Sequence, residues 1–362
     1  MVVMTRRPST TTEALSVTEV PALVERAKKM SRQNTRRLGV LAVVVAVSSV
    51  LPADIAMGKA ELEDSRPIIH FIEEAQDKVD NDKMTVFIGG FADKDGSWNA
   101  RNMSEAIQTL SPGTLAALEY ADDIGLKTIA HEIAIEAERR HVTYVSLYGY
   151  SLGGMASLKI ANILRDTYGI KVVTIFLDQM PASETMILPA QLDKARAFMA
   201  VIAVANDWGL DVQYSRIIRA GGEKLIGGDL SHLNNVPTSF MYSQLTMAAS
   251  ANTKKAIGAL GENDDLVRPF IEYVTSEHPG DNTYINLVDS SDTLRESAEA
   301  AGIPYDEIVV SNLIHTRPDF TLPEYQAAFD QAAPLLALKR EQMNDEFLFA
   351  SGATIHTYIK HF

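Results

Sequence analysis

One segment near the middle of the chain constrains the fold more than any other part of the sequence. Residues 142–148 (VTYVSLY) are rich in β-branched and aromatic side chains, the composition of a β-strand. The sequence Gly-Tyr-Ser-Leu-Gly follows directly, with its serine at position 151. Residues 151–168 then carry apolar side chains at helical spacing. We therefore predict a strand, a sharp turn at Ser151 and a helix, in that order.

Glycines around Ser151 fit such a turn for a steric reason. Side chains two positions before or after Ser151 would collide with neighbouring elements, and Gly149 and Gly153 remove them. Gly154 lets the helix pack more closely against the strand. The N-terminus of the helix also presents N–H groups and positive potential, which would stabilise an oxyanion. The alternative is a glycine-rich turn in which Ser151 only caps the helix.

From about residue 66, short apolar segments alternate with longer helical ones. This alternation predicts an α/β fold with a mainly parallel central sheet and helices on both faces. Besides the strand at 142–148, we expect strands at residues 84–88, 172–177, 255–260, 284–288 and 308–313. We expect further helices at residues 122–140, 192–204 and 322–346.

The G-x-S-x-G sequence between a strand and a helix resembles the nucleophile elbow of the α/β-hydrolase superfamily. The resemblance covers roughly residues 84–340 in element order. It implies an α/β-hydrolase fold with a helical cap insertion, in a serine hydrolase whose nucleophile is Ser151. In that superfamily the acid and the base follow the nucleophile, in the order Ser, acid, His.

The end of the expected strand at 84–88 is a second point of resemblance. Gly-Gly-Phe at residues 89–91, followed by Trp98, is similar to the H-G-F…W oxyanion loop of the superfamily, with Gly89 in place of the usual histidine. The resemblance implies that the backbone N–H groups of Phe91 and Leu152 hold the oxyanion. An ordinary glycine turn is the alternative.

The acid is sought after Ser151. The segment GENDDLV follows the strand expected at 255–260 and resembles the G-x-x-D-x-x-V segment of the superfamily, which places the acid at Asp264. Asp178, directly after another strand, is the alternative used in some branches. Two further candidates follow a strand-like run, Asp289 and Asp292. A helix cap or a solvated turn is the ordinary role of an aspartate at such a position.

The base is sought among the histidines after Ser151, which are His232, His278, His315, His356 and His361. His315 follows the last expected strand and precedes the last long helix, where the superfamily has its histidine. The resemblance implies that His315 takes the serine proton while the acid orients its ring. A surface loop histidine is the alternative.

Composition excludes several other classes of protein. A net charge of −14 argues against a nucleic-acid partner, which would need a basic face. The chain has no cysteine, so disulfides, thiolate metal sites and cysteine nucleophiles are excluded. His131 lacks the second histidine of a zinc-protease motif, and no phosphate-binding glycine loop follows a strand. We therefore expect neither a metal nor a cofactor.

The N-terminal part of the chain differs from the rest in composition. Residues 1–37 form a polar tail, and three arginines stand just before the apolar run 38–51. This run is shorter than the ~20 residues of a full membrane span. We interpret residues 38–57 as a signal anchor or an export signal, which predicts a membrane-anchored protein facing outside the cytoplasm, or a secreted one. A buried core element is the alternative.

Residues 181–250 lack the alternation of strand-like and helical segments. We therefore expect a cap or lid there, inserted into a core of residues 66–180 and 251–346. Its apolar residues would line a substrate pocket or form the cap's own core. Together with an export segment, this favours a carboxylic ester as substrate, with lipid-like esters included. Alternatives are a thioesterase, a peptidase, a haloperoxidase or a non-catalytic membrane-tethered binding protein.

Overall fold

A computed structural model describes residues 52–57, 67–90, 93, 95–119, 125–207, 209, 211–212, 215, 246–248, 251–262, 268–279, 282, 284–313 and 322–350. Three of the predicted site residues lie outside the described residues: Phe91, Asp264 and His315. The polar tail and the apolar run 38–51 lie outside them too.

Among the described residues, seven strands form one sheet in the order β1-β3-β2-β4-β5-β6-β7. The strands are β1 Ile68–Glu73, β2 Lys83–Ile88, β3 Thr114–Glu119, β4 Tyr144–Tyr150, β5 Lys171–Asp178, β6 Phe270–Ser276 and β7 Tyr305–Val310. Only the β1–β3 pair is antiparallel, and every other neighbouring pair is parallel. The carboxyl ends of β2 to β7 therefore share one edge of the sheet, where sites form in open α/β sheets.

Besides the short helical segments 52–57 and 246–248, eight α-helices are described, and they cover both faces of the sheet. They are α1 Ser97–Asn102, α2 Ser104–Leu110, α3 Leu126–Arg139, α4 Leu152–Tyr168, α5 Pro189–Asp207, α6 Thr253–Gly261, α7 Leu287–Ala300 and α8 Leu322–Ala350. Helices α3, α4, α6 and α7 bury apolar side chains such as Ile133 and Leu158 on one face. Helices α1, α2 and α8 bury others, such as Ile107 and Phe329, on the opposite face. The expected fold class, an α/β-hydrolase fold, is confirmed.

Two expected strands are wrong. Residues 255–260 belong to helix α6, whose N-terminus is capped by the Asn252 side chain accepting from the Lys255 N–H. Ile257 and Leu260, three residues apart, face the core on one side of this helix. Within the expected strand 284–288, only Ile285 makes an isolated bridge, and helix α7 begins two residues later.

Other elements were shifted or missed. The last strand, β7, covers residues 305–310 rather than the expected 308–313. Three strands, β1, β3 and β6, had no counterpart in the expected series. In the expected cap region, the main described element is α5. The cap itself stays a prediction.

Among the described residues, no helix is both long enough and apolar enough to cross a membrane. The predicted signal segment is described only at residues 52–57, which are helical. They pack onto the domain, since Ile55 joins the core and the buried Asp54 accepts a hydrogen bond of 2.6 Å from the Ser215 hydroxyl.

Candidate active site

Ser151 lies at the carboxyl edge of the sheet, between the end of β4 and the start of α4. Its backbone is strained, with φ 52° and ψ −122°. A non-glycine residue held in such a conformation costs on the order of 1–3 kcal/mol, and its surroundings must maintain it. Here the Ser151 N–H donates to the Asp178 carbonyl at 2.7 Å, and the Ser151 carbonyl accepts from the Gly154 N–H at 3.0 Å. The turn has the geometry expected of a nucleophile elbow.

Glycine is required at three positions around this turn. A Cβ atom at Gly149 would lie 2.5 Å from the Gly154 Cα atom, and one at Gly153 would lie 2.2 Å from the Ile88 carbonyl oxygen. A Cβ atom at Gly154 would lie 2.7 Å from the Met180 side chain. The first two contacts involve backbone atoms, which cannot move aside. The steric reason predicted for these glycines is confirmed.

The loop after β2 passes beside the elbow. A Cβ atom at Gly90 would lie 3.1 Å from the Ser151 Cβ atom, so this backbone approaches the serine closely. A Cβ atom at Gly89 would lie 2.5 Å from the Asp93 carboxyl group. Asp93 therefore fills the space beside position 89, and a side chain there would meet its carboxyl group. The role of Phe91 in the oxyanion hole stays a prediction.

Asp93 is a carboxyl group in an unusual environment. Burial raises the pKa of Asp93 to about 7, although the Asn99 side-chain amide donates a hydrogen bond of 2.9 Å that works in the opposite direction. The Asp93 N–H also closes a turn onto the Gly90 carbonyl at 3.2 Å. Asp93 thus supports the loop through both its backbone and its side chain.

Leu152 is the first residue of α4. The first N–H groups of a helix have no partner within the helix, and they carry its positive potential. Leu152 directly follows Ser151, and its N–H is one of these first donors of α4. This geometry agrees with the predicted role of Leu152 without testing it.

Asp178, the alternative acid, is fully buried at the end of β5. Its carboxyl group accepts hydrogen bonds from the hydroxyls of Tyr148 at 2.7 Å and Tyr325 at 3.0 Å. Burial raises the pKa of Asp178 to about 7, against the opposing effect of these hydrogen bonds. Both tyrosines pack among the core side chains between the sheet and α8. The Asp178 side chain therefore links β4, β5 and α8, while its backbone carbonyl holds Ser151.

Gln179 is a residue that the sequence reasoning missed. It is fully buried, adopts a φ of 48°, and donates its N–H to the Val274 carbonyl at 2.9 Å. Its side-chain oxygen accepts from the Asn282 amide at 3.1 Å. Asn282 in turn accepts from the backbone N–H of Ile285 at 2.8 Å. This chain of contacts ties the segment between β6 and α7 to the elbow.

The sequence contained one signal for this network. Asp178 and Gln179 form a polar pair directly after an otherwise apolar strand. A polar pair in that place must find buried partners. The partners of Gln179 are Asn282 and Tyr325, which lie more than 100 residues away in sequence. No local sequence pattern predicts these contacts.

Asp264, the predicted acid, lies outside the described residues, between the end of α6 and the start of β6. Helix α6 ends at Gly261, near the end of α7, and Arg268 donates to the Gly302 carbonyl at 3.1 Å just before β6 begins. These neighbours lie at the edge where the parallel strands begin, opposite Ser151. The strand expected directly before Asp264 is helix α6, which removes one reason for its choice, and its role as the acid stays a prediction.

The other two aspartates considered for the acid make ordinary contacts at the surface of α7. The chain leading to His315, the predicted base, leaves the sheet at the carboxyl edge. Asp289 exchanges hydrogen bonds with Asn286 at the start of α7, and Asp292 pairs with Arg295. Both are ordinary helix-surface contacts. The described chain runs past the carboxyl end of β7 as far as Leu313, two residues before His315.

No protein-family model matches the sequence, and no curated protein matches it. Solved structures do match the fold. A lipase-esterase related protein from Clostridium acetobutylicum is 12% identical, with 73% of this chain and 97% of that chain covered and a TM-score of 0.47. MenH from S. aureus is 16% identical, with coverages of 77% and 99% and a TM-score of 0.46.

A carboxylesterase structure from the thaumarchaeon Nitrososphaera gargenis is 12% identical, with coverages of 76% and 96% and a TM-score of 0.48. At these identities and TM-scores the likeness concerns the fold. The reaction and the substrate of this chain must be argued from its own residues.

Proposed function

We propose that this protein is a serine hydrolase that cleaves a carboxylic ester through an acyl-enzyme. The observation that carries the proposal is the strained backbone of Ser151 at the carboxyl edge of the sheet, where three glycines permit close packing around the turn. A serine needed only as a helix cap would not require a left-handed φ, because ordinary caps adopt the extended region. Strain of this kind is typical of functional positions.

The reaction proposed is acyl transfer to water. The Ser151 hydroxyl attacks the ester carbonyl while His315 takes its proton and passes it to the departing alcohol. Backbone N–H groups of Leu152 and Phe91 hold the negative charge on the carbonyl oxygen. Water activated by His315 then releases the acid and restores Ser151. The short distance in sequence between the end of β7 and His315 supports its role as the base.

The acid of the triad is reassigned in this proposal. Residues 277–286, which connect the carboxyl end of β6 to α7, contain two carboxyl groups, those of Glu277 and Asp281. The Glu277 N–H donates to the Val310 carbonyl at 2.9 Å, which joins this segment to the end of β7. Asp281 directly precedes Asn282, the partner of Gln179. We therefore favour Asp281 over Asp264 as the residue that orients His315.

Asp281→Asn is expected to lower kcat/KM by roughly 10²- to 10⁴-fold, because an asparagine cannot stabilise the imidazolium that forms during the reaction. The matched control is Asp264→Asn, with the same change of charge and an expected change below about threefold. Steady-state hydrolysis of an aryl ester measures both. A large loss in Asp264→Asn with a normal rate in Asp281→Asn would restore the first assignment.

An ester is proposed as the substrate because the site combines a serine nucleophile with an apolar insertion after β5. A series of p-nitrophenyl esters from acetate to laurate, beside an aminoacyl nitroanilide and an acyl thioester, tests this. We expect turnover of the esters, with a preference for medium or long acyl chains. Turnover of the nitroanilide or the thioester alone would contradict the ester proposal and favour a peptidase or a thioesterase.

For localisation we propose export with the N-terminal segment retained as an anchor. The packing of residues 52–57 supports this, since cleavage after them would remove Ile55 from the core and Asp54 from Ser215. The arginines before the apolar run would remain on the cytoplasmic side.

A further inference from the structure

We propose that His70, Asp95 and Glu119 form a binding site for one divalent transition-metal ion, such as Zn²⁺. The site lies at the β1–β3 edge of the sheet and shares no residue with the proposed triad. The metal-site proposal therefore does not rest on the proposed hydrolase reaction.

The three side chains come from three separate parts of the fold. His70 lies on β1, Glu119 is the last residue of β3, and Asp95 lies in the connection from β2 to α1. Backbone contacts hold these parts together, because Asp95 forms an isolated antiparallel bridge with Glu119. The residues therefore meet through the fold, rather than through proximity along one exposed helix.

The distances suit a single ion. One ligand atom from each residue lies within 4.8 Å of the other two, and the His70 Nε2 atom is 2.7 Å from a Glu119 carboxyl oxygen. Two metal–ligand bonds of ~2.0–2.2 Å span at most about 4.4 Å. A shared ion therefore requires the longest of these separations to shorten by at most about 0.4 Å. The Ser97 N–H donates to Asp95 at 2.9 Å and orients its carboxyl group, as outer contacts do in metal sites.

The donor set selects the class of metal. An imidazole nitrogen with two carboxyl groups suits Zn²⁺ and its first-row neighbours, whereas Ca²⁺ and Mg²⁺ prefer oxygen donors alone. Two carboxylate ligands carry two negative charges, which a dication balances. The side chains of His70 and Glu119 are 33% and 25% exposed, so water can complete the coordination.

Binding at this position would act on the loop beside Ser151. The loop leaves β2 at Gly89, approaches Ser151 at Gly90, and returns to the sheet where the Gly96 N–H donates to the Leu118 carbonyl at 3.4 Å. An ion on Asp95 would fix the returning end of this loop to β1 and β3. The metal would thus have a structural role near the site without touching the substrate.

Isothermal titration of the chelator-treated full chain with ZnCl₂ tests the proposal. We expect one ion per chain, and Zn²⁺ should also raise the melting temperature. His70→Gln and Glu119→Gln should each weaken binding at least tenfold. Asp95→Asn, a change at an exposed side chain, should do the same and provides a variant with little risk to folding. Circular dichroism checks that every variant is folded.

The matched control is His131→Gln, at an exposed histidine on α3, and it should bind Zn²⁺ as the parent does. Binding that is equal in all variants would show adventitious binding and overturn the proposal, as would no binding by the parent. Ca²⁺ binding as tight as Zn²⁺ binding would contradict the assigned role of the imidazole. Because the readout is heat, a failure here is distinct from a failure of the proposed hydrolase activity.

Discussion

Ser151→Ala is expected to abolish ester hydrolysis while the protein stays folded. The change removes one hydroxyl and keeps the Cβ atom, so the strained backbone meets the same steric demands before and after it. Loss of a serine nucleophile lowers kcat by roughly 10⁴-fold or more in enzymes that use a triad. Initial rates with an aryl ester measure the loss, and a thermal melt shows that the fold is intact.

Ser157→Ala is the matched control for this prediction. Ser157 is also buried, lies on the first turns of α4, and donates its hydroxyl to the Gly153 carbonyl at 2.8 Å. Removing that hydrogen bond should cost about 1 kcal/mol of stability and leave the rate within a few-fold of the parent. If Ser151→Ala kept the parent's rate, the proposed nucleophile would be wrong.

Gly153→Ala is expected to destabilise the fold more than any other single-methyl change near the site. The added Cβ atom would lie 2.2 Å from the Ile88 carbonyl oxygen and 2.5 Å from that of Gly89. Both are backbone atoms at the end of a central strand, so relief requires α4 to move away from β2. Overpacking of this kind costs about 1–3 kcal/mol or more. Chemical denaturation measures the free energy of unfolding.

Gly258→Ala provides the control with the same added methyl group. Gly258 lies in helix α6 with no atom within 4 Å of an added Cβ, so the substitution should stabilise the helix by up to about 1 kcal/mol. Equal effects of the two substitutions on unfolding would contradict the close packing of α4 against β2.

The elbow could be predicted from the sequence because its determinants are local. A β-branched strand, glycines on both sides of Ser151 and a long amphipathic segment all lie within 30 residues. Each of these features independently favours the same turn. When several local features agree in this way, the local structure can be predicted from the sequence. The structure adds the atoms, such as the Ile88 carbonyl, that make the glycines necessary.

The strand that precedes the proposed acid, Asp281, could not be predicted in the same way. A short apolar run such as residues 255–260 has the same appearance in a strand and in a buried helix. Strand β6 carries Glu272 at its centre, a charged residue that does not suggest a buried strand. Its carboxyl group is 2% exposed and lies 3.6 Å from the Lys339 ammonium group, which belongs to α8. Since Lys339 is 67 residues away in sequence, the local sequence pattern does not predict that Glu272 can be buried in a strand.

Covalent labelling tests the central claim most directly. The full chain is treated with a fluorophosphonate probe, digested and mapped by mass spectrometry, beside the Ser151→Ala variant. We predict one adduct, on the peptide containing Ser151, and no labelling of the variant. Labelling that persists in the folded variant, or an adduct on another serine, would contradict the assignment of Ser151 as the nucleophile.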